Sequence, residues 1–119
     1  MNHIEEITSF CQSMKGVTYD FPFGEETMVF RVMEKIFLLT SLQSVPMSIN
    51  LKAIPEQAIE WREQHDAIRP GFHMNKKHWN TVKLDGCLSN PFVQEIIRHS
   101  YDCVVKGLPK KLRAELEGI

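Results

Sequence analysis

Long apolar runs are missing from this sequence. No stretch approaches the roughly 18 to 20 consecutive apolar residues that are needed to cross a bilayer. The first six residues, MNHIEE, do not place a basic segment before an apolar one, which is the pattern of a secretory signal peptide. We therefore expect no membrane contact and a cytoplasmic location.

An excess of charge of one sign is also missing. The chain has 14 Lys and Arg residues against 15 Asp and Glu residues, which gives a net charge of −1 at pH 7. This balance excludes a uniformly basic protein that coats DNA. It also excludes an acidic tail as the functional part of the chain.

Cysteines are few, and their arrangement is not that of a disulfide framework. The three residues, Cys11, Cys87 and Cys103, are odd in number, and no two of them form a CxxC pair. Small secreted proteins that depend on disulfides have an even set of cysteines at close spacing. We therefore expect reduced thiols, which again favours the cytoplasm.

Sequence motifs with a known chemistry are absent as well. The chain has no phosphate-binding glycine loop, no GxSxG and no HExxH, and no pair of carboxylates stands out on a predicted helix. His73 and His78 are a weak signal for zinc, because zinc sites usually need four close-spaced ligands. The sequence therefore predicts no metal, no cofactor and no enzyme. An enzymatic function would need a histidine within hydrogen-bond distance of Cys87 or Cys103.

The length of 119 residues fits one compact domain. In chain order, the pattern predicts a helix between Asn2 and Gly16, strands at 27–33, 35–42 and 47–52, a helix at 55–65, a strand at 78–84, a helix from the cap Asn90 to Gly107, and a last helix from Pro109. Strands joined by short turns form antiparallel sheets. We therefore predict an α+β fold, with helices packed on an antiparallel β-sheet in a single domain over residues 1–119.

Positive charge is concentrated in the second half of the chain, which carries +3 against −4 for residues 1–60. The first basic stretch, residues 69–83, has no acid and contains Arg69, Lys76, Lys77 and Lys83, with His73 and His78 among them. The second basic stretch, residues 103–114, contains Lys106, Lys110, Lys111 and Arg113. A protein without net positive charge can bind a polyanion when its cations lie on one face.

The first basic stretch has the residue types of a nucleic-acid contact. Lysines suit phosphates, the amides of Asn75 and Asn80 can contact base edges or position the loop, and Trp79 or Phe72 could stack on an exposed base. The candidate contact residues are therefore Arg69, His73, Asn75, Lys76, Lys77, His78, Trp79, Asn80 and Lys83. Three further cations, Lys110, Lys111 and Arg113, would extend the footprint, meaning the surface in contact with the nucleic acid, if they lie on the same face as these residues.

The same region carries a resemblance to a known family. The matching segments are LK at 51–52, PEQA at 55–58, RE at 62–63, IRPGFHMNKKHWNTV at 68–82, LDG at 84–86, SY at 100–101 and LPKK at 108–111, with PFG at 22–24 and KIF at 35–37 upstream. Over nearly its whole length the chain resembles the MmcQ/YjbR family of small, bacterial, cytoplasmic proteins. The resemblance implies a CyaY-like α+β fold, and DNA binding by a double-wing motif of β-hairpins. Phe72 stands where that family commonly has Tyr, and Glu34 stands where it commonly has Gly.

Two functions follow as hypotheses. The first is a non-enzymatic DNA-binding protein that contacts phosphates through a basic loop, weakly at physiological salt and with little sequence preference. The alternative is a protein-interaction or small-ligand-binding module in which the segment from Phe72 to Trp79 forms one wall of a groove. Its cations would then recognise an acidic partner or a carboxylate ligand. A convex basic ridge favours the first hypothesis, and an apolar pocket beside Trp79 favours the second.

Overall fold

The computed structural model describes residues 1–119 as four helices and six strands. In chain order these are α1 (Ile4–Gln12), β1 (Val17–Asp20), β2 (Thr27–Val32), β3 (Lys35–Ser41), β4 (Ser48–Lys52), α2 (Pro55–Gln64), β5 (Ile68–Pro70), β6 (Trp79–Lys83), α3 (Asn90–Lys106) and α4 (Lys110–Glu117). The predicted α+β class is confirmed. None of the helices combines the length and the apolar character that crossing a bilayer requires.

All six strands form one antiparallel sheet in the order β1-β2-β3-β4-β6-β5. Helix α1 packs on β1, α3 crosses β2, β3 and β4, and α2 lies on β5 and β6. Apolar side chains from all four helices share one buried core with the strands. The helices therefore occupy one face of the sheet, and removal of this apolar surface from water is the main force that holds the two layers together.

The two edge strands are absent from the sequence-based prediction. Strand β1 has four residues, of which three are exposed, and β5 has three residues, of which two are exposed. Prediction of a strand depends on an alternation of apolar and polar residues. Strands this short and this exposed carry no such pattern, and only their backbone pairing with β2 and β6 identifies them.

Two helix caps are shifted by one residue from their predicted positions. Helix α1 has His3 instead of Asn2 at its N-cap, and no side chain caps it. Helix α3 has Ser89 instead of Asn90 at its N-cap, because Ser89 Oγ accepts a hydrogen bond from the Phe92 N–H at 3.3 Å. The Asn90 side chain instead accepts a hydrogen bond from the N-terminal ammonium group. The cap of α3 is therefore a serine hydroxyl, another residue type that favours this position.

Ser100 links the second half of α3 to the middle of the sheet. Its Oγ donates to the Phe37 carbonyl at 2.5 Å and accepts from the Lys52 N–H at 2.8 Å. The register between β2 and β3 shifts beside Phe30, so that Phe37 is the extra residue of a β-bulge. The Ser100 side chain is fully buried. These two hydrogen bonds therefore fix the position of α3 relative to β3 and β4.

Candidate functional site

The first basic stretch forms strand β5, a loop and strand β6. Residues 71–78, which we call the β5–β6 loop, connect the two strands at the end of the sheet where Lys52 pairs with Trp79. The Ala53 N–H donates to the His78 carbonyl at 2.8 Å, which places the loop beside the start of α2. Five residues of this loop have exposed side chains: Phe72, His73, Asn75, Lys76 and Lys77.

Hydrogen bonds within the β5–β6 loop fix its backbone. The Asn75 carbonyl accepts from the Trp79 N–H at 2.9 Å, and Asn75 Oδ1 accepts from the Lys77 N–H at 2.9 Å. Lys76 Nζ donates to the Gly71 carbonyl at 3.0 Å. Asn75 therefore uses its side-chain oxygen inside the loop and keeps its amide N–H groups free. Lys76 keeps two of its three ammonium donors for an external anion.

Arg62 of α2 holds the loop from the helix side, and the sequence reasoning did not assign it a role. Its Nε donates to Asn80 Oδ1 at 2.6 Å, and its Nη2 donates to the Trp79 carbonyl at 3.2 Å. The same Nη2 also donates to the Lys76 carbonyl. One guanidinium group thus joins the loop to the first two residues of β6. The only sequence signal was its place in the RE pair of the family resemblance.

Asn80 cannot contact a base edge, so that part of the prediction is wrong. Its side chain is on the helix face of the sheet and only 2% exposed. Asn80 Nδ2 donates to the Ala58 carbonyl at 3.3 Å, while its Oδ1 accepts from Arg62. Asn80 therefore has the other role that the sequence suggested, which is to position the loop. Trp79, its neighbour on β6, is half-buried.

An aromatic pair lies on the outside of the loop. Phe72 is 70% exposed, and its ring centroid lies 4.0 Å from that of His73. His73 has a φ of 59°, in the left-handed region that residues other than glycine rarely adopt. Other large apolar side chains of the chain are exposed to a similar extent, such as Phe23 at 67%, but Phe72 has a second ring directly beside it. The pair is therefore available to a planar ligand group.

Close packing at Gly71 sets the start of the loop. A Cβ atom at this position would lie 2.9 Å from the Trp79 Cβ and 3.0 Å from the Trp79 carbonyl oxygen. The first distance is shorter than real Cβ contacts, and the second is shorter than most of them. The Gly71 N–H also donates to that carbonyl at 2.8 Å. Only glycine allows the two strands to approach this closely.

Arg69 and Lys83 lie together on the side of β5 and β6 that faces away from the helices. Both line an open groove of about 550 Å³ that also contains Thr81 and Asp66. Arg69 Nε donates to the Asp66 carbonyl at 3.1 Å. Because Asp66 brings a negative charge into the same groove, this pair is a weaker anion site than two free cations would be.

The second basic stretch meets the first in a different groove. We call this the α2–α3 groove, because it lies between the start of α2 and the second half of α3. It has a volume of about 550 Å³, and its polar lining residues are Lys52, His78, His99, Asp102, Cys103 and Lys106. His78 comes from the first basic stretch and Lys106 from the second, so the structure brings the two stretches together here.

The remaining cations of the second basic stretch lie on α4. Lys110, Lys111 and Arg113 are exposed on α4. The far end of that helix places Leu116 against Gly16, which precedes β1 at the opposite edge of the sheet from β5. Helix α4 thus runs towards the edge strand farthest from the loop, and the extension of the loop's footprint to these three residues stays a prediction.

Histidine and cysteine share the α2–α3 groove without pairing. His99 Nε2 accepts a hydrogen bond from the Ile54 N–H at 3.2 Å, and burial lowers the pKa of His99. Burial raises the pKa of the Cys103 thiol, and the hydrogen bond to Asp85 raises the pKa of Cys87. No hydrogen bond joins either thiol to a histidine, and a raised pKa is the opposite of what activates a nucleophile. No group of three or more His, Cys, Asp or Glu residues is placed to hold a metal ion.

Comparison with known proteins gives consistent matches over most of the chain. The family model described as YjbR matches residues 12–103. The protein YbdF of Escherichia coli O157:H7, described as uncharacterized, is 41% identical over 92 residues, which are 76% of this chain and 75% of that protein. The protein YjbR of Escherichia coli, also described as uncharacterized, is 30% identical over 110 residues, which are 92% of this chain and 93% of that protein.

Two solved structures have a similar fold over most of the chain. The crystal structure of Deinococcus radiodurans protein DR2400, a domain of family DUF419, superposes with a TM-score of 0.93 at 37% identity and covers 98% of this chain and 89% of its own. A crystal structure of a Pseudomonas syringae protein superposes with a TM-score of 0.72 at 25% identity, over 85% of this chain and 97% of its own.

Proposed function

The chain belongs to the YjbR family, and from the geometry of its β5–β6 loop we propose that it is a non-enzymatic protein that binds nucleic acid weakly and with little sequence preference. The observation that carries the proposal is the exposed Phe72–His73 pair beside Lys76 and Lys77 on a loop whose backbone is fixed by Arg62. Proteins that bind single strands combine cations for the phosphates with aromatic rings for the bases.

Phosphate contact in this proposal comes from a small number of cations. Lys76 and Lys77 are exposed on the loop, and Arg69 and Lys83 follow on the adjoining strands. Each neutralised phosphate contributes about −0.9 to the slope of log K against log salt for duplex DNA and about −0.7 for single strands. Four contacts therefore give a slope of about −3.6 with duplex. Since Asp66 offsets part of the charge on the strands, Lys76 and Lys77 supply the most effective contacts.

Base contact comes from stacking on the aromatic pair. Phe72 has no hydroxyl group, so it cannot donate a hydrogen bond to a phosphate, but its ring is open to solvent. Stacking of one base on an aromatic side chain contributes about 1 to 3 kcal/mol. Bases in a duplex are already stacked on one another. We therefore expect single strands to bind more tightly than a duplex of the same sequence.

The hairpin between β2 and β3 is not part of the proposed contact, although the family resemblance implies two wings. Its turn consists of Met33 and Glu34, both with positive φ, and it lies at the same end of the sheet as the β5–β6 loop. Glu34 is exposed there and repels phosphate. The nearby Arg31 is already paired with Asp20 at 3.0 Å. The proposal therefore uses one hairpin only.

Fluorescence anisotropy of a labelled mixed-sequence oligonucleotide, single-stranded and duplex, tests this function across a range of salt concentrations. The double variant Lys76→Ala/Lys77→Ala should bind more weakly, with a salt slope reduced by about 1.4 for the single strand. The control Lys110→Ala/Lys111→Ala removes the same charge from α4 and should bind like the wild type. Phe72→Ala should weaken binding of the single strand more than binding of the duplex. Equal loss in the loop and control variants, or no binding at low salt, would refute the proposal.

The alternative, a small-ligand module, is supported by one specific observation. His78, the last residue of the β5–β6 loop, lines the α2–α3 groove, which is concave and has both apolar and cationic walls. Such a groove is the usual form of a small-molecule site.

A further inference from the structure

The α2–α3 groove has the dimensions of a ligand site. Its volume of about 550 Å³ falls in the range of about 300 to 1,000 Å³ that is typical of small-molecule pockets. One side is formed by the segment that leads from β4 into α2, and the other by the last two turns of α3. The groove uses none of the exposed aromatic residues of the β5–β6 loop.

The charges in the groove match an anion with a single negative charge. Lys52 and Lys106 contribute two ammonium groups, and Asp102 contributes one carboxylate, so the net charge is +1 while both histidines are neutral. The two lysines come from opposite walls, since one ends β4 and the other ends α3. An anion between the two walls would therefore face one ammonium group from each wall, and Asp102, which is exposed, keeps its contact with solvent.

The remaining walls of the groove are apolar. Ala53, Ile54, Pro55 and Val105 line it, and Ile54 is 46% exposed although it is a large hydrophobic residue. The backbone N–H of Ile54 is already bonded to His99 Nε2 at 3.2 Å, so it offers no donor to a ligand. The apolar part of a ligand can therefore lie against these side chains without leaving a buried polar group unpaired.

The walls are fixed relative to each other before any ligand binds. The buried Ser100 hydroxyl accepts from the Lys52 N–H and donates to the Phe37 carbonyl, which joins α3 to β4 and β3. His99, one residue earlier, joins α3 to the start of α2. A groove that is already formed does not have to be ordered on binding, which favours affinity for a small ligand.

From these features we propose that the α2–α3 groove binds a small organic carboxylate with an apolar body, its carboxylate between Lys52 and Lys106 and its body against Ile54 and Val105. This site is separate from the proposed nucleic-acid contact and does not depend on it. A phosphate monoester would bring two negative charges to a groove with a net charge of +1. A neutral apolar compound would leave both lysines without a partner.

The test uses benzoate, acetate and benzyl alcohol as probes in NMR titrations of the full chain. Benzoate carries both the charge and the apolar ring, acetate carries only the charge, and benzyl alcohol carries only the ring. We expect benzoate to bind at least about tenfold more tightly than either of the other two. The backbone amide signals that shift should be those of Ile54, His99 and Lys106. Equal weak binding of all three probes, or shifts centred on another surface, would overturn the proposal.

The matched variants separate a specific site from general attraction of an anion. Lys52→Gln/Lys106→Gln should weaken benzoate binding at least about tenfold, whereas Lys110→Gln/Lys111→Gln has the same change in charge and should leave it unchanged. If the first double variant loses the dispersed spectrum of the folded chain, the single exposed change Lys106→Gln carries the same test. Unchanged benzoate affinity in these groove variants would overturn the proposal.

Oligonucleotide titrations of the same variants distinguish this proposal from the proposed function. The groove variants should retain most of their affinity for a single strand, while Lys76→Ala/Lys77→Ala should retain its affinity for benzoate. Loss of both ligands in both double variants would show one shared basic surface, and would overturn the assignment of a separate carboxylate site. Failure of oligonucleotide binding alone would overturn only the proposed function.

Discussion

Replacement of Arg62 by alanine should destabilise the protein by about 2 to 4 kcal/mol and loosen the β5–β6 loop. The guanidinium group donates three hydrogen bonds, to the Asn80 side chain and to the carbonyl groups of Trp79 and Lys76. It is the only side chain that joins α2 to the loop in this way. Its removal therefore affects both the stability of the fold and the geometry of the candidate site.

The magnitude depends mainly on Asn80, because the three acceptors differ in burial. Asn80 Oδ1 lies on a side chain that is 2% exposed, and an unsatisfied buried polar group costs about 1 to 3 kcal/mol. The Trp79 carbonyl retains a second donor, the Gly71 N–H at 2.8 Å. Lys76 is exposed, so water can replace its partner. The lost packing of the half-buried Arg62 stem adds about 1 kcal/mol, roughly the contribution of one buried methylene group.

Urea denaturation measures the free energy of unfolding, and a double-mutant cycle isolates the pair. Arg62→Ala and Asn80→Ala should couple by about 1 to 2 kcal/mol, since each removes the partner of the other. Arg69→Ala is the control, because Arg69 is exposed and its one hydrogen bond is to the Asp66 carbonyl. This control should change stability by less than about 0.5 kcal/mol.

Two results would refute the reasoning about Arg62. One is a variant whose free energy of unfolding stays within about 0.5 kcal/mol of the wild type. The other is unchanged hydrogen exchange of the backbone amides at residues 76–79, which the anchor should protect. Either result would mean that the loop keeps its geometry through its own hydrogen bonds.

Two further predictions follow from the packing of the loop and of α3. Gly71→Ala should reduce both oligonucleotide affinity and the free energy of unfolding, because its Cβ would lie 2.9 Å from the Trp79 Cβ. Gly107→Ala is the control and should fold normally, since its Cβ would lie 3.6 Å from the nearest atom. Equal behaviour of the two variants in urea denaturation would contradict this. Burial holds the pKa of His99 below its ordinary value of 6.5. Below pH 6.5 the unfolded chain therefore takes up a proton more readily than the folded chain does. The free energy of unfolding should be constant above pH 6.5 in this respect and should fall as the pH drops below it. Urea denaturation at about pH 7.5 and about pH 5.5 should show a smaller fall in His99→Gln than in the wild type, and an equal fall in both proteins would refute this.

The fold was largely predictable from the sequence because its long elements have clear periodicity. The apolar stripe of α3 and the alternation in β4 each identify their element. The short edge strands lack that signal. The predicted contact of Asn80 with a base edge was also wrong, because its side chain is buried. Asn80 shares the buried face of β6 with Val82, and its polar residue type suggested the open face instead.

The candidate site was predictable only in part. The first basic stretch is continuous in sequence, so its lysines could be identified by inspection. Arg62 lies 14 to 18 residues from its hydrogen-bond partners, and their contact depends on how α2 packs on β6. The α2–α3 groove combines Lys52, His78 and Lys106, which come from three separate segments. Contacts of this kind follow from the assembled layers and not from any local pattern.

The short edge strands also limit how this protein can associate with other chains. A long, flat edge strand offers a row of unpaired N–H and C=O groups that can template another strand and lead to aggregation. Here β1 and β5 have only four and three residues, and β5 ends in Pro70, which has no N–H to donate. An added strand would gain few hydrogen bonds at either edge. Concentrated solutions should therefore resist growth into fibrils by the addition of strands at these two edges.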